Sequence, residues 1–170
     1  MRVHKELSRF LSMMDSLLKA IADNIWENLG MGPSESVYHR AFEVALRCEG
    51  IPYESERVIP IIYEGHYVGT VRADMIVGGN VVVELKNVAK LNEQYIAQTQ
   101  NYLRLLDLSE GYLINFPTTA SSGAQVMRVT LKPRIVNPFV EEEDKLPNKL
   151  LGVEPLEVLV DVPGVSEHVL

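Results

Sequence analysis

Apolar residues recur at three- and four-residue steps from Leu7 through Phe10, Leu11, Met14, Leu17, Leu18, Ile21 and Ile25 to Leu29. That is the period of an amphipathic helix with a core-facing stripe. Gly30-Met31-Gly32-Pro33 stops it, and Ser34 is placed to cap a second helix running to about Glu49, ended by Gly50 and Pro52. On the second helix Tyr38, Phe42, Ala45 and Glu49 share a face, with Glu35 one turn before Tyr38. The pattern then turns strand-like. Strands are predicted over 53–63, 67–77 and 81–87, joined by Glu64-Gly65-His66 and Gly78-Gly79-Asn80, which makes an antiparallel meander. A third helix is predicted from Leu91 to Asp107, with Gln98 on the same side as Leu91, Tyr95, Tyr102 and Leu106. Strands over 112–116 and 125–131 follow, separated by a loop. The order ααβββαββ predicts an α/β fold, a central mixed sheet flanked by helices.

Polar residues interrupt the most apolar part of this pattern. Between Arg72 and Lys86, Asp74 falls near the end of one strand, while Glu84 and Lys86 lie two apart on the next. Two apart in a strand means the same face. Their neighbours are valine, leucine and isoleucine, as in strands buried on both faces. Charges there are costly unless they pair, bind a metal or act in chemistry. A buried ion pair without chemistry satisfies that condition. So does a divalent-metal site for phosphodiester hydrolysis, with carboxylates on the ion and a lysine orienting water or stabilising charge on phosphate. For Glu35, in the first turn of a helix, favourable interaction with the helix dipole is the simpler reading.

The composition narrows the field. The chain has 170 residues, enough for one ordinary domain, with 46% hydrophobic and 23% charged residues, as in a globular protein. No apolar run is long enough for a membrane span, and the N-terminus shows no secretory pattern. Cys48, the single cysteine, excludes an internal disulfide and reads as a small packing residue. An intracellular setting, cytoplasmic or nuclear, is expected. The net charge of −7 argues against coating nucleic acid electrostatically, but it is unevenly spread. Residues 138–170 carry eight acids against Lys145 and Lys149, a net of −6, leaving −1 on residues 1–137. That acidic, proline-punctuated stretch, with apolar clusters at Leu150-Leu151 and Val158-Leu159-Val160, reads as an extension suited to a protein partner or self-association. The domain proper is placed at 1–137. The four histidines are scattered; His39 follows Tyr38 closely enough to lie near the site, but surface placement is the favoured reading.

The element order, with an Asp and a Glu-x-Lys on consecutive strands, resembles the PD-(D/E)xK nuclease superfamily, whose core is restriction-endonuclease-like. Five blocks resemble its GxxExxY branch: Gly32-Pro33-Ser34-Glu35-Ser36-Val37-Tyr38, Arg72-Ala73-Asp74, Val83-Glu84-Leu85-Lys86, Ala97-Gln98 with Asn101-Tyr102-Leu103, and Leu113-Ile114-Asn115-Phe116. They cover about residues 20–137. The resemblance implies Asp74 and Glu84 as ligands of Mg²⁺, for which Mn²⁺ can substitute, and Lys86 as the catalytic lysine. It adds Glu35 as a further carboxylate at the metal and Gln98 as a helix glutamine lining the site. Tyr38 and Arg72, within the matched blocks, are candidate substrate-binding residues. The chain departs from the branch ahead of Glu35. Trp26 and Gly30-Met31-Gly32-Pro33-Ser34 stand where family members usually carry a His and a Gly-Pro-Gly-Leu-Leu run.

Two functions of different class follow. One is a metal-dependent nuclease acting on nucleic acid, with DNA the favoured substrate. The other is a non-catalytic recruitment module that keeps the fold but works through protein contacts. A shared fold does not by itself decide between them.

Overall fold

The computed structural model describes residues 2–131. Eight elements follow the predicted order: α1 (Arg2–Leu29), α2 (Glu35–Cys48), β1 (Tyr53–Tyr63), β2 (His66–Val77), β3 (Val81–Lys86), α3 (Glu93–Leu106), β4 (Glu110–Asn115) and β5 (Gln125–Thr130). The strands form one mixed sheet in the order β1-β2-β3-β4-β5. β3 and β4 are parallel, and the remaining neighbours are antiparallel. A parallel pair needs a crossover, and α3 supplies it. The expected extension at 138–170, and its boundary with the domain, lie outside the described residues. Among the described residues no helix is long and apolar enough to cross a membrane.

Helices cover both faces of the sheet. On one face, Leu18, Ile25, Tyr38 and Phe42 of α1 and α2 pack on Met75, Val83, Leu85 and Ile114. On the other, Tyr102 and Leu103 of α3 pack on Ala73, Val82, Leu113 and Val129. Every residue of β3 from Val81 to Leu85 is therefore buried, as an apolar run interrupted by Glu84 alone predicts. Gly111 lets α3 approach β4 closely, since a Cβ there would lie 2.8 Å from Thr99 Cγ2.

Local details differ from the sequence expectation. Ser34 is the N-cap of α2, but its hydroxyl makes no cap and lies 3.0 Å from Ser36 Oγ instead. Only its carbonyl serves, accepting from the Val37 and Tyr38 N–H groups. The buried stripe of α2 is Tyr38, Phe42 and Leu46 rather than a line ending at Glu49, which is exposed at the C-cap. Cys48, at the last turn, is also exposed, at the edge of the groove between α1 and α2 rather than in the core. Edge strand β1 carries Pro60, whose missing N–H is tolerated at an unpaired edge.

Candidate active site

The β2–β3 ladder runs from Val77↔Val81 to Met75↔Val83. One step further the two strands bond through side chains. The Asp74 N–H donates to Glu84 Oε1 at 2.9 Å, and the Leu85 N–H donates to Asp74 Oδ2 at 2.8 Å. The pleat also slips here. Met75 and Val77 pack beneath α1 and α2, whereas Ala73 packs with Ile76 beneath α3. Strict alternation would put 73, 75 and 77 on one face. Opposite, Glu56 takes a positive φ of 50°. The strands separate at Asp74, and two carboxylates occupy the opening.

Lys86 joins them. Its Nζ donates to Glu84 Oε2 at 3.2 Å and lies 4.0 Å from Asp74 Oδ2. It also lies 5.7 Å from the centre of the Tyr95 ring on α3. Glu84 is 1% exposed, and the Lys86 side chain is 11% exposed. Burial, then the Asp74 charge, pushes the Glu84 carboxyl up to about 7, against the opposing pull of Lys86. For Lys86, burial works against the charge, but Glu84, Asp74 and Glu35 outweigh it and raise its pKa. Two carboxylates and one ammonium leave a fully ionised cluster one negative charge in excess. A buried 1:1 ion pair would have no such excess, so the cluster favours an added cation.

The ends of β3 and β4 are tied to hold Lys86 in place. Asn115, fully buried, accepts from the Val88 N–H and donates to the Val88 carbonyl, each at 3.0 Å, and donates to Gln125 Oε1 at 3.1 Å. Asn87 Nδ2 donates to the Phe116 carbonyl, and the Phe116 N–H to the Lys86 carbonyl, both at 2.8 Å. Asn115 is a positioning residue that sequence reasoning passed over. Its signal was a lone amide at the end of the apolar run Leu113-Ile114.

The other expected residues scatter around this centre. Glu35 is exposed, and its Oε2 accepts from the Asn87 N–H at 3.2 Å, just past Lys86. Among the described residues, no group of three His, Cys, Asp or Glu converges to hold an ion, so Glu35 stands apart from Asp74 and Glu84. Gln98 is exposed, and its amide donates to Tyr102 Oη at 2.8 Å, so it reaches the cluster only through that phenol. The phenol's pKa is raised by burial first and then by Glu84.

The expectation that Tyr38 contacts substrate is corrected. Tyr38 is fully buried, stacks on Phe116 with ring centres 4.2 Å apart, and donates to the Gly30 carbonyl at 2.6 Å. It fastens the end of α1 to α2 and leaves no surface for a ligand. Arg72, in contrast, is exposed, 3.6 Å from Glu56.

A cleft of about 320 Å³ opens beside Asp74, between α2 and the β1–β2 strands, and includes Glu35, His39, Arg40, Glu43 and Arg72. His39 belongs here rather than on the open surface. Its side chain is 17% exposed, with Nε2 3.4 Å from the Asp74 carbonyl and Nδ1 3.8 Å from Glu43 Oε1. The Ser55 hydroxyl donates to the same Glu43 oxygen. Four-residue spacing from Glu35 along α2 was the available signal.

No curated protein matches the chain. A crystal structure of SSO0001 is similar at 21% identity, covering 56% of this chain and 48% of that one, with a TM-score of 0.44. The chain thus spans about half the length of that protein. The family model for the PD-(D/E)XK nuclease superfamily matches residues 12–129. That span takes in α2, the opening between β2 and β3, and the whole sheet apart from the last residue of β5. The chain belongs to the PD-(D/E)XK nuclease superfamily, and its five-stranded mixed sheet flanked by helices is a restriction-endonuclease-like α/β fold.

Proposed function

We propose that the protein is a metal-dependent nuclease of the GxxExxY branch, hydrolysing phosphodiester bonds in nucleic acid with Asp74, Glu84 and Lys86 at its centre. The observation that carries this reading is the reciprocal bonding of Asp74 and Glu84 across the strand opening, with Lys86 on Glu84. Nucleases of this superfamily use divalent metal ions. The donor set fits a hard cation: both groups offer oxygen only, and one or two carboxylates suffice for Mg²⁺ when water and phosphate supply the rest. Asp74 and Glu84 are the ligands, Mg²⁺ the ion, and Mn²⁺ its substitute. Glu35, at the mouth of the cleft, is suited to waters around the ion rather than to the ion itself. A bound ion supplies Lewis-acid stabilisation of phosphate and a more acidic water.

The chain's own residues do the rest. The backbone bonds from Asp74 and Leu85 fix one oxygen of each carboxylate, leaving Asp74 Oδ1 to face a ligand and Glu84 Oε2, which holds Lys86, to share it. Lys86 stays protonated, directs its N–H groups toward the phosphate, and offsets charge as the bond to the leaving oxygen breaks. Tyr95, its ring centre 5.7 Å away, covers it on the α3 side. Arg72, at the lip of the cleft, is placed to take a neighbouring phosphate. We read residues 1–137 as the nuclease domain and 138–170 as an extension for partner contacts.

A recruitment module acting through protein contacts is the competing reading, favoured by an open, largely apolar groove of about 650 Å³ between α1 and α2. Cleavage of labelled single- and double-stranded DNA and RNA with Mg²⁺ or Mn²⁺ decides between them. Wild type should cut at least one form, and Lys86→Ala should lower the rate by about two to three orders of magnitude while staying folded. Absence of cleavage on every form, or equal rates for both proteins, would leave the recruitment reading.

A further inference from the structure

β1 and β2 are far longer than β3, which pairs only with Met75–Val77 of β2. From Arg57↔Ala73 to the Glu64-Gly65 turn they run on as a two-stranded ribbon. One face of the ribbon packs on α3 through Ile59, Val71 and Ala73. On the opposite face Val58, Pro60, Ile62, Thr70 and Arg72 are all exposed. Arg72 also lines the cleft beside Asp74, so this face continues the candidate active site outward.

A bulge completes the strip. Ile61 pairs with Gly69, but Ile62 pairs with Tyr67, leaving Val68 as an extra residue in β2. Without it, alternation would place Tyr67 with Gly69 and Val71 on the α3 face. With it, Tyr67 stands opposite Ile62 on the cleft side, 66% exposed, and Ile62 is 56% exposed. From Arg72 to Tyr67 the strip runs roughly 15 Å, at about 3.3 Å per residue. It starts with a cation and ends with an aromatic ring beside an aliphatic side chain.

We propose that this ribbon face is a single-strand platform, seating unpaired bases of the substrate on Tyr67 and Ile62 while Arg72 takes the backbone phosphate at the mouth of the cleft. The proposal rests on the nuclease reading and names its substrate class. Single strands are favoured by the balance of groups. Binding a duplex without reading its bases relies on neutralising many phosphates, and residues 1–137 carry a net charge of −1. Arg72 is the cation of this strip. Unpaired bases instead expose π-faces, which an aromatic side chain takes whatever the sequence. A duplex hides those faces in its own stack.

The test is fluorescence anisotropy in EDTA, which separates binding from cutting, with a labelled homothymidine oligonucleotide and its duplex with homoadenosine. Wild type should bind the single strand about tenfold or more tighter than the duplex. Tyr67→Ala should weaken single-strand binding about 5- to 100-fold, the range for one lost base stack, while Tyr67→Phe, which keeps the ring, binds as wild type. With Mg²⁺ restored, the Tyr67→Ala loss should fall on KM with kcat retained. Unchanged single-strand affinity in Tyr67→Ala, or a wild-type preference for duplex, overturns the platform. If Tyr67→Ala changes the mass by light scattering but not the affinity, the face joins two copies of the chain and the proposal is likewise wrong. The two readings fail separately. Tyr67-dependent binding without any cleavage keeps the platform and removes the nuclease. Lys86-dependent cleavage with a silent Tyr67→Ala does the reverse.

Discussion

Asp74 and Glu84 hold each other's strands: the Asp74 N–H bonds Glu84 Oε1 at 2.9 Å, and Asp74 Oδ2 takes the Leu85 N–H at 2.8 Å. Each carboxylate thereby closes a backbone donor that the ended ladder would leave open; the second oxygen of Asp74 stays for a ligand, and that of Glu84 holds Lys86. This explains how two acids persist in a sheet whose β3 strand is buried from Val81 to Leu85. It also means that neither acid can be replaced without a structural cost.

The first prediction separates those roles. Asp74→Asn keeps an oxygen able to accept from the Leu85 N–H, so the fold should survive, but it removes a charge from the ion site. Titration calorimetry with Mn²⁺ should show binding in wild type and at least tenfold weaker binding in Asp74→Asn, on the scale of one lost charged interaction. Equal heats in the two proteins would take Asp74 off the metal.

A second prediction concerns pH. The Glu84 carboxyl is pushed up to about 7 from its ordinary 4.5, by burial first and the Asp74 charge second. Below about pH 4.5 the group is protonated in folded and unfolded chains alike, and its contribution is complete. Between 4.5 and 7 the unfolded chain releases the proton more readily, so the metal-free protein loses stability as pH rises, up to about 3 kcal/mol. Lys86 does not titrate in this window, because its raised pKa lies higher still. Thermal melts in EDTA from pH 5 to 8 should therefore fall for wild type and stay flatter for Glu84→Gln. A wild-type curve that rises across that range would contradict the assignment.

How far these features were legible in the chain depends on the range of the interaction. Element order and most boundaries follow from periodicity and from Gly/Pro punctuation, both local signals, and β1 is observed at 53–63 as predicted. Glu84 and Lys86 share a site because strand period puts them on one face. Tyr38 misled because helix period gives the face but not what covers it, and Phe116, 78 residues away in sequence, covers it. His39 misled in the opposite sense: its neighbour Asp74 comes from another element. Neither the parting of β2 from β3 nor the bulge at Val68 has a local signature, and both decide where polar side chains point.

A third prediction tests the support beneath Lys86. Asn115→Leu keeps the branched shape but leaves the Val88 N–H without its acceptor and the Val88 carbonyl with the Thr118 N–H alone, at 3.4 Å. Stability should fall by about 1–3 kcal/mol, chiefly the cost of stranding the partly buried Val88 N–H. Cleavage should fall further than stability explains at a temperature where the variant is folded, since Lys86 sits two residues before Val88. Denaturant melts beside single-turnover rates measure both, and wild-type rates in a folded Asn115→Leu would deny it a positioning role.

The last prediction concerns the packing of α3, whose Tyr95 ring lies against the lysine. At Gly111 an added methyl would lie 2.8 Å from Thr99 Cγ2 and 3.4 Å from Leu103 Cδ1. Thr99 is itself fully buried and donates its hydroxyl to the Tyr95 carbonyl at 3.0 Å, so it has no room to yield by turning away. Gly111→Ala must push α3 off β4, and should cost about 1–3 kcal/mol, as overpacking does. The clash is with one methyl group, which makes the relief specific. Thr99→Ser removes that methyl and keeps the hydroxyl, so by itself it should cost about 1 kcal/mol for the buried carbon it deletes. Combined with Gly111→Ala, the two substitutions should be clearly less destabilising than the sum of their separate effects. Urea unfolding of the four proteins gives the coupling directly. Simple additivity would mean that α3 and β4 do not meet at this contact, and that Tyr95 owes its place beside Lys86 to something else.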